Sequence, residues 1–447
     1  MLRQASDESE HSPLLKDEGR RLLRWMREHP CAPRFNFECG DHLAFHHWAW
    51  LKGFEGLLRQ GFRWPEQGPP AWVWPFACSA LERVPYYRSY GECSGWHDLP
   101  PLDKEVLRRQ PQMLVPDDVS LEDMVVYDTS GTTGNKMLVP SAPTVSASYL
   151  PLLCYGLSLY GVQLEPTPGR VAFLQVGLQQ STLTYAMISS FLDQSGFAKL
   201  NLNPKEWREP EHRARYIDDC QPQVLTGNPL AFAELARLPL KHQPKALVSS
   251  AMTLMPGARL ELERHFGCPV FDMYSMTECM AIALKRDESS GHRVLSHDLY
   301  VEVLDDRGKP VAHGQRGEVA LTGGRNPYLP LLRYRTRDHA RVEVREGVPF
   351  LMGLEGRSPV QFETREGHRF NNIDVTHALA RFALIQFSLH QNQDLSLRFR
   401  YRDTRVSEPE LEEALRGVFG DLPIGFETAA VGEVGEREKW IQYSSDR

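Results

Sequence analysis

Residues 127–136 read YDTSGTTGNK, and they concentrate groups able to hold an anion. Gly131 and Gly134 free the backbone to turn its N–H groups towards a charge. Thr129, Ser130, Thr132 and Thr133 add hydroxyl donors, and Lys136 adds an ammonium. A Walker loop needs G-x-x-x-x-G-K-[ST]. Here the glycines are three apart and Lys136 is followed by Met137, so that spacing fails. An ordinary Ser/Thr/Gly turn has the same composition, and the loop alone does not say what becomes of the phosphate.

Two later stretches supply complementary chemistry. DMYSMTEC places Tyr274, Thr277 and Glu278 at the end of an expected buried strand. Ligands of open α/β sheets gather at the carboxyl edges of strands. An aromatic there can lie against a purine, a hydroxyl can meet a phosphate, and a carboxylate can hold a hard divalent cation. LLRYRTRDHARV carries three arginines before Asp338, whose carboxylate can accept two ribose hydroxyls. Taken singly, Glu278 is also readable as a surface carboxylate and the arginine run as a charged strand.

Elements that could position these residues alternate along the middle of the chain. RVAFLQVG, QVLTG, KALVSS and PVFDMY are short apolar runs bounded by Gly, Pro, Asp or Ser, with helical patterns such as PGARLELERHFG between them. That alternation predicts an α/β domain with a largely parallel sheet. LYVEVLDDRGKPV and RGEVALTG predict antiparallel strands around a turn at Arg307 and Gly308. Before this, DHLAFHHWAWLKGFEGLLRQG predicts a helix capped by Asp41, with Trp50, Leu51, Phe54, Leu57 and Leu58 at helical spacing, stopping at Gly61. Adjacent His46 and His47 are expected on different faces, which favours aromatic packing over metal binding. After GLEGRS, alternating strands and the helix SEPELEEALRGVFG, with a Ser407–Glu410 capping box, predict a small α+β domain. The expected division is a large domain over 1–354, whose residues 1–75 form a helical, Trp-rich extension, and a small mobile domain over 355–447.

Composition narrows the partners. A net charge of −7 gives no reason to expect nucleic acid. The longest apolar stretch, LPLLCYGLSLYGVQL, is too short and broken to span a bilayer, and residues 1–20 lack the apolar core of a signal peptide. Eight cysteines without a CxxC pair suit free thiols in a cytoplasm.

The glycine loop, YSMTE, LLRYRTRD and GRS, with ALERVPYYRSY and LPPLDKEVLRRQP before them, resemble the adenylate-forming superfamily of acyl-CoA synthetases, in particular its phenylacetate–CoA ligase branch. The resemblance covers most of residues 80–360. It implies a large α/β domain with mixed and parallel sheets followed by a small α+β domain. It implies that Thr129 to Lys136 embraces the phosphates of ATP. Tyr274 would flank the adenine, with Ser249, Ser250 and Ala251 on its other side. Thr277 would touch the α-phosphate, Glu278 would coordinate Mg²⁺, and Asp338, assisted by Arg357, would bind the ribose. The implied reaction activates a carboxylic acid, expected to be aromatic, as an acyl-AMP and passes it to coenzyme A.

Departures from the pattern keep alternatives open. The family's GRSDD hinge has Pro359 in this chain, and the expected thiol-tunnel proline is missing from REGHRFNNIDV. Where the family places a lysine directly after a glycine, Glu436 follows Gly435, and the nearest lysine is Lys439. Lys439 is therefore the candidate for the catalytic lysine. The other readings are transfer to a carrier protein or another nucleophile, and a nucleotide-binding relative without turnover. A homodimer is the remaining partner considered.

Overall fold

Short β-branched runs between Gly, Pro and Asp form strands, and the amphipathic runs between them form helices, giving a mixed α/β chain. The computed structural model describes residues 11–66, 68–129, 137–312, 314–356, 360–402, 406–429 and 440–447. The chain divides into two units, each assembled from three stretches. The first comprises Met1–Leu14, Asp41–Leu164 and Met273–Ser358, and the second Leu15–Gly40, Glu165–Asp272 and Pro359–Arg447.

In the first unit, six antiparallel strands lie in the order Leu299–Leu304, Arg316–Gly323, Leu331–Arg345, Val348–Gly356, His292–Val294 and Met280–Lys285. The expected hairpin is present, with Leu304 opposite Glu318 and Gly308 at φ +74° in its connection. Trp64, Val73, Tyr87, Trp96, Leu102 and Leu107 pack with Val319, Leu321 and Tyr334 in one apolar core. Of the aromatic-rich N-terminal stretch, Trp64 is core and Trp72, Trp74 and Phe76 pack partly buried against it, whereas Phe45 and Trp50 are exposed.

Its helix Phe45–Gln60 begins later than Asp41 predicts, with Ala44 at the cap. Asp41 Oδ1 instead accepts the Leu43 N–H at 3.3 Å, an Asx turn that delays the first helical residue. Leu51, Phe54 and Leu58 face inward, whereas Trp50 and Leu57 are exposed. Gly61 ends the helix at φ +71°.

In the second unit, Ala246–Ser250, Val224–Gly227, Val171–Gly177 and Ser195–Asn201 run parallel, with Tyr185–Ser189 antiparallel at the edge. Pro opens the helix Pro256–Phe266 and left-handed Gly267 closes it. The C-terminal strands Ile424–Ala429, Leu397–Arg402, Phe387–Gln391 and Tyr443–Ser445 form a four-stranded sheet, and the helices Asn372–Leu379 and Glu408–Phe419 pack against each other. Ser407 stands at the cap of the latter helix but makes no capping bond.

This C-terminal stretch shares a core with the central one. Leu254, Ala258 and Leu262 belong to the same apolar cluster as Phe382, Leu384 and Phe387. Gly257 N–H donates to Ala380 O at 2.9 Å, and a Cβ at 257 would lie 2.4 Å from the Phe382 carbonyl. Among the described residues no helix is long and apolar enough to cross a membrane.

Candidate nucleotide and metal site

The strand Leu331–Arg345 carries the site in the first unit. Tyr334 and Asp338 each reach a residue of the YSMTE stretch. Tyr334 donates its hydroxyl to Glu278 Oε1 at 2.6 Å, and Tyr274 donates its own to Asp338 Oδ2 at 2.7 Å. Glu278 is 2% exposed and Tyr334 fully buried. Burial, then the Asp338 charge, push the Tyr274 hydroxyl well above its usual pKa. Burial and Glu278 do the same to Tyr334. Burial also raises the Asp338 carboxyl, while the Tyr274 hydrogen bond and the Lys104 charge pull it back down.

The three arginines of RYRTRD answer carboxylates of this chain. Arg333 pairs with buried Glu302 at 3.0 Å, Arg335 Nε with Glu318 at 2.7 Å, and Arg337 with Asp103 at 2.8 Å. Arg333 and Arg337 adopt φ +48° and +73°. The Asp338 N–H is held by Thr336 Oγ1 at 3.1 Å, and Thr336 Oγ1 donates to Val319 O. The arginines therefore brace the strand, and its tyrosine and aspartate face YSMTE.

Two residues absent from the motif reading complete the cluster. Lys104 lies 3.1 Å from Glu278 Oε1. Arg325, whose side chain is fully buried, donates to the carbonyls of Cys279 and Ala281 and pairs with Asp298 at 2.8 Å, fixing the backbone just after Glu278. The only advance signals were a lysine inside LPPLDKE and an arginine after the glycines of TGGRN.

The residues fit a nucleotide and a hard cation. Both contacts of Glu278 fall on Oε1, and Oε2 has no partner among the described residues, leaving an oxygen of a buried carboxylate for a cation. Gly356 stands opposite Asp338, and a Cβ there would come 3.4 Å from Oδ1, so glycine keeps that side of the carboxylate open. Thr277 sits in the turn between Tyr274 and Glu278, partly buried.

The remaining expected residues are placed separately. Thr129 ends the strand Val125–Thr129, opposite Met137 on the strand Met137–Ser141. Ser130, Gly131, Thr132, Thr133, Gly134 and Lys136 lie outside the described residues, as do Arg357, Glu436 and Lys439. In the second unit, Ser249 is buried and its hydroxyl has no partner among the described residues, Ser250 ends the strand, and Ala251 has φ +67°. An unpaired buried hydroxyl costs about 1–3 kcal/mol, which a ligand can recover. Trp440, next to Lys439, lies under the Arg400 and Arg402 guanidinium groups at 4.2 and 5.2 Å.

His46 and His47 do converge, against expectation. Their ring centroids are 3.9 Å apart, and both Nε2 atoms face Asp123 Oδ2, at 3.8 and 3.6 Å. His47 Nδ1 accepts the Ala44 N–H at 3.3 Å, so in the neutral ring Nε2 bears the proton, and it faces Asp123 beyond hydrogen-bond distance.

An AMP-binding enzyme family model matches residues 162–326. The chain is 25% identical over 289 residues to the phenylacetate–coenzyme A ligase of Escherichia coli K12, covering 59% of this chain and 64% of that protein. It is 24% identical over 175 residues to protein CapK of Staphylococcus aureus, covering 36% and 37%. It thus aligns with less than two thirds of the length of these relatives. Its fold is similar to that of 2-hydroxyisobutyryl-CoA ligase in complex with 2-HIB-AMP, with a TM-score of 0.58 at 17% identity and 89% of both chains covered. Over residues 162–326 the chain is thus similar to the AMP-binding enzyme family, and its sequence likeness is to phenylacetate–coenzyme A ligases.

Proposed function

We propose that the protein is an AMP-forming acid–thiol ligase that activates a small carboxylic acid with ATP and passes the acyl group to coenzyme A. One observation carries this reading. A buried carboxylate with an open oxygen, Glu278, and an aspartate tied to an aromatic, Asp338 with Tyr274, are held by one strand and one turn of the same unit. They match the needs of a cation-bound triphosphate and a nucleoside.

In the first half-reaction, a substrate carboxylate oxygen forms a bond to the α-phosphorus, and the bond to the β-phosphate oxygen breaks. Pyrophosphate leaves with the electron pair. Thr129 to Lys136 would surround the phosphates, and Thr277 would meet the α-phosphate. Asp338 and Arg357 would hold the ribose, and Tyr274 with Ser249, Ser250 and Ala251 would contact the adenine. Bound Mg²⁺ would neutralise phosphate charge, with Glu278 among its ligands. Lys439 would approach the attacking carboxylate. In the second half-reaction the thiol sulfur attacks the acyl carbon, AMP leaves, and the thiol proton goes to solvent.

An aromatic acid is the substrate class proposed, with the segment QVGLQQSTLT lining its pocket. Coenzyme A, rather than a carrier protein, is the proposed acceptor. Residues 355–447 would act as a moving domain, a movement that must open the core they share with Leu254, Ala258 and Leu262. The eight cysteines are all free thiols, which supports a cytoplasmic site of action. A panel of carboxylic acids scored by pyrophosphate release, with and without coenzyme A, tests the reading. It fails if nucleotide binds and no acid releases pyrophosphate.

A further inference from the structure

Lys104 opens the helix Lys104–Arg109, behind its capping residue Asp103. A cation is poorly placed at a helix start, where the backbone already presents positive partial charge. Its position is explained instead by Glu278, whose carboxylate it meets at 3.1 Å while Tyr334 holds the same oxygen. Glu278 is 2% exposed and the Lys104 side chain 34%, so the lysine reaches inward from solvent to a buried acid.

The approach is built by main-chain lacing. Leu102 N–H donates to Arg333 O at 3.2 Å, and Arg335 N–H donates to Leu102 O at 2.9 Å. Arg333 also donates to Leu99 O, and Arg337 clasps Asp103 with bonds of 2.9 and 2.8 Å. The segment that delivers Lys104 is thereby fastened to the strand that delivers Tyr334. The two partners of Glu278 are set by one framework.

We infer that Lys104 is a positioning residue, the built-in counter-cation that holds Glu278 aimed until the divalent cation of an incoming nucleotide displaces it. The inference rests on the assignment of Glu278 proposed above. A lysine can yield where a fixed group could not. Its ammonium sits on a flexible stem, open to solvent along one side, and two cations at one carboxylate, the lysine on Oε1 and the metal on Oε2, repel each other. Lys104 and Mg²⁺ therefore compete for Glu278.

Binding of a fluorescent nonhydrolysable ATP analogue to the full chain, titrated with Mg²⁺, tests this without turnover. Removing the competing charge in Lys104→Met should lower the half-saturating Mg²⁺ concentration roughly five- to tenfold at pH 8. Lys104→Arg, which keeps the charge, should stay near the parent, and Glu278→Gln should raise the requirement. If Lys104→Met melts earlier but keeps the parent's Mg²⁺ requirement, the lysine is only structural and the inference falls, while the Glu278 assignment stands. If analogue binding by the parent ignores Mg²⁺, or Glu278→Gln changes nothing, the assignment falls and takes the inference with it.

Discussion

Tyr274 and Asp338 form a pair in a partly buried site, the tyrosine hydroxyl donating to Oδ2 at 2.7 Å. If Asp338 holds the ribose as proposed, the pair sets the acid limit of nucleotide binding. Burial raises the Asp338 carboxyl, so on acidification it takes up its proton before an ordinary aspartate would, and it would then cease to accept the ribose hydroxyls proposed for it. The linkage to stability has the matching sign. The folded chain retains this proton as pH rises past the usual aspartate range, and the associated stability is lost as pH climbs through the raised value. Tyr274→Phe deletes a bond that favours the charged form. The acid limb of ATP-analogue binding, measured by calorimetry across pH 5 to 8, should move to higher pH in the variant. An unmoved limb would remove Asp338 from ribose recognition.

Arg333 has its side chain 1% exposed against Glu302 at 5%. Arg333→Met strands that carboxylate, at a cost on the order of 3–5 kcal/mol near neutral pH. Burial already raises the Glu302 carboxyl, so the variant should be hurt less as pH falls and the acid becomes neutral. Adding Glu302→Gln should recover part of the loss. Urea midpoints at two pH values decide it, and an equal loss at both would refute the charge argument.

Gly257 offers a sharper steric test. In an open helix Gly→Ala gains roughly 1 kcal/mol. Here the new methyl would lie 2.4 Å from the backbone of Phe382, which cannot yield as a side-chain tip would. Gly257→Ala should therefore lower the melting temperature and speed proteolysis of the C-terminal stretch. A melting temperature raised by the substitution would show that the contact opens freely.

Lys439 follows a stretch that departs from the family pattern, and Trp440 beside it is anchored by two arginines. An ammonium between carboxylate and α-phosphate helps form the anhydride and contributes little once it exists. Lys439→Ala should depress acid-dependent pyrophosphate release and spare conversion of supplied acyl-AMP. Glu436→Lys should raise the first step if the family's position is the productive one. Equal loss in both half-reactions would contradict the role.

Local chemistry was legible in the sequence wherever one stretch contained its own answer. Pro256 and Gly267 bracket a helix, and the apolar alternation of Leu299–Leu304 and Arg316–Gly323 makes a hairpin. Asp41 and Ser407 had the right type for capping, but Asp41 bonds to a nearer N–H and Ser407 makes no capping bond. Site residues were legible as types and not as pairs. That Tyr274 would answer Asp338, Lys104 would answer Glu278, and the arginines would answer Glu302, Glu318 and Asp103 depends on which distant strands adjoin. Side-chain spacing along the chain carries no such information.

The interleaving of the two units has a consequence for how the site comes into being. Arg333 and Arg337 reach Leu99 and Asp103 across 234 residues of chain. The stretch between them includes all of Glu165–Asp272, which belongs to the other unit. During synthesis, the segment bearing Lys104 emerges long before the strand that fastens it, and it must wait while the core of a different unit is made. Closing so long a loop carries an entropic cost that only the finished sheet can offset. Glu278 therefore acquires its lysine and its tyrosine among the last events of folding. A chain halted before Leu331 would contain YSMTE in full yet lack Tyr334 and Asp338, the partners of Glu278 and Tyr274 on that strand.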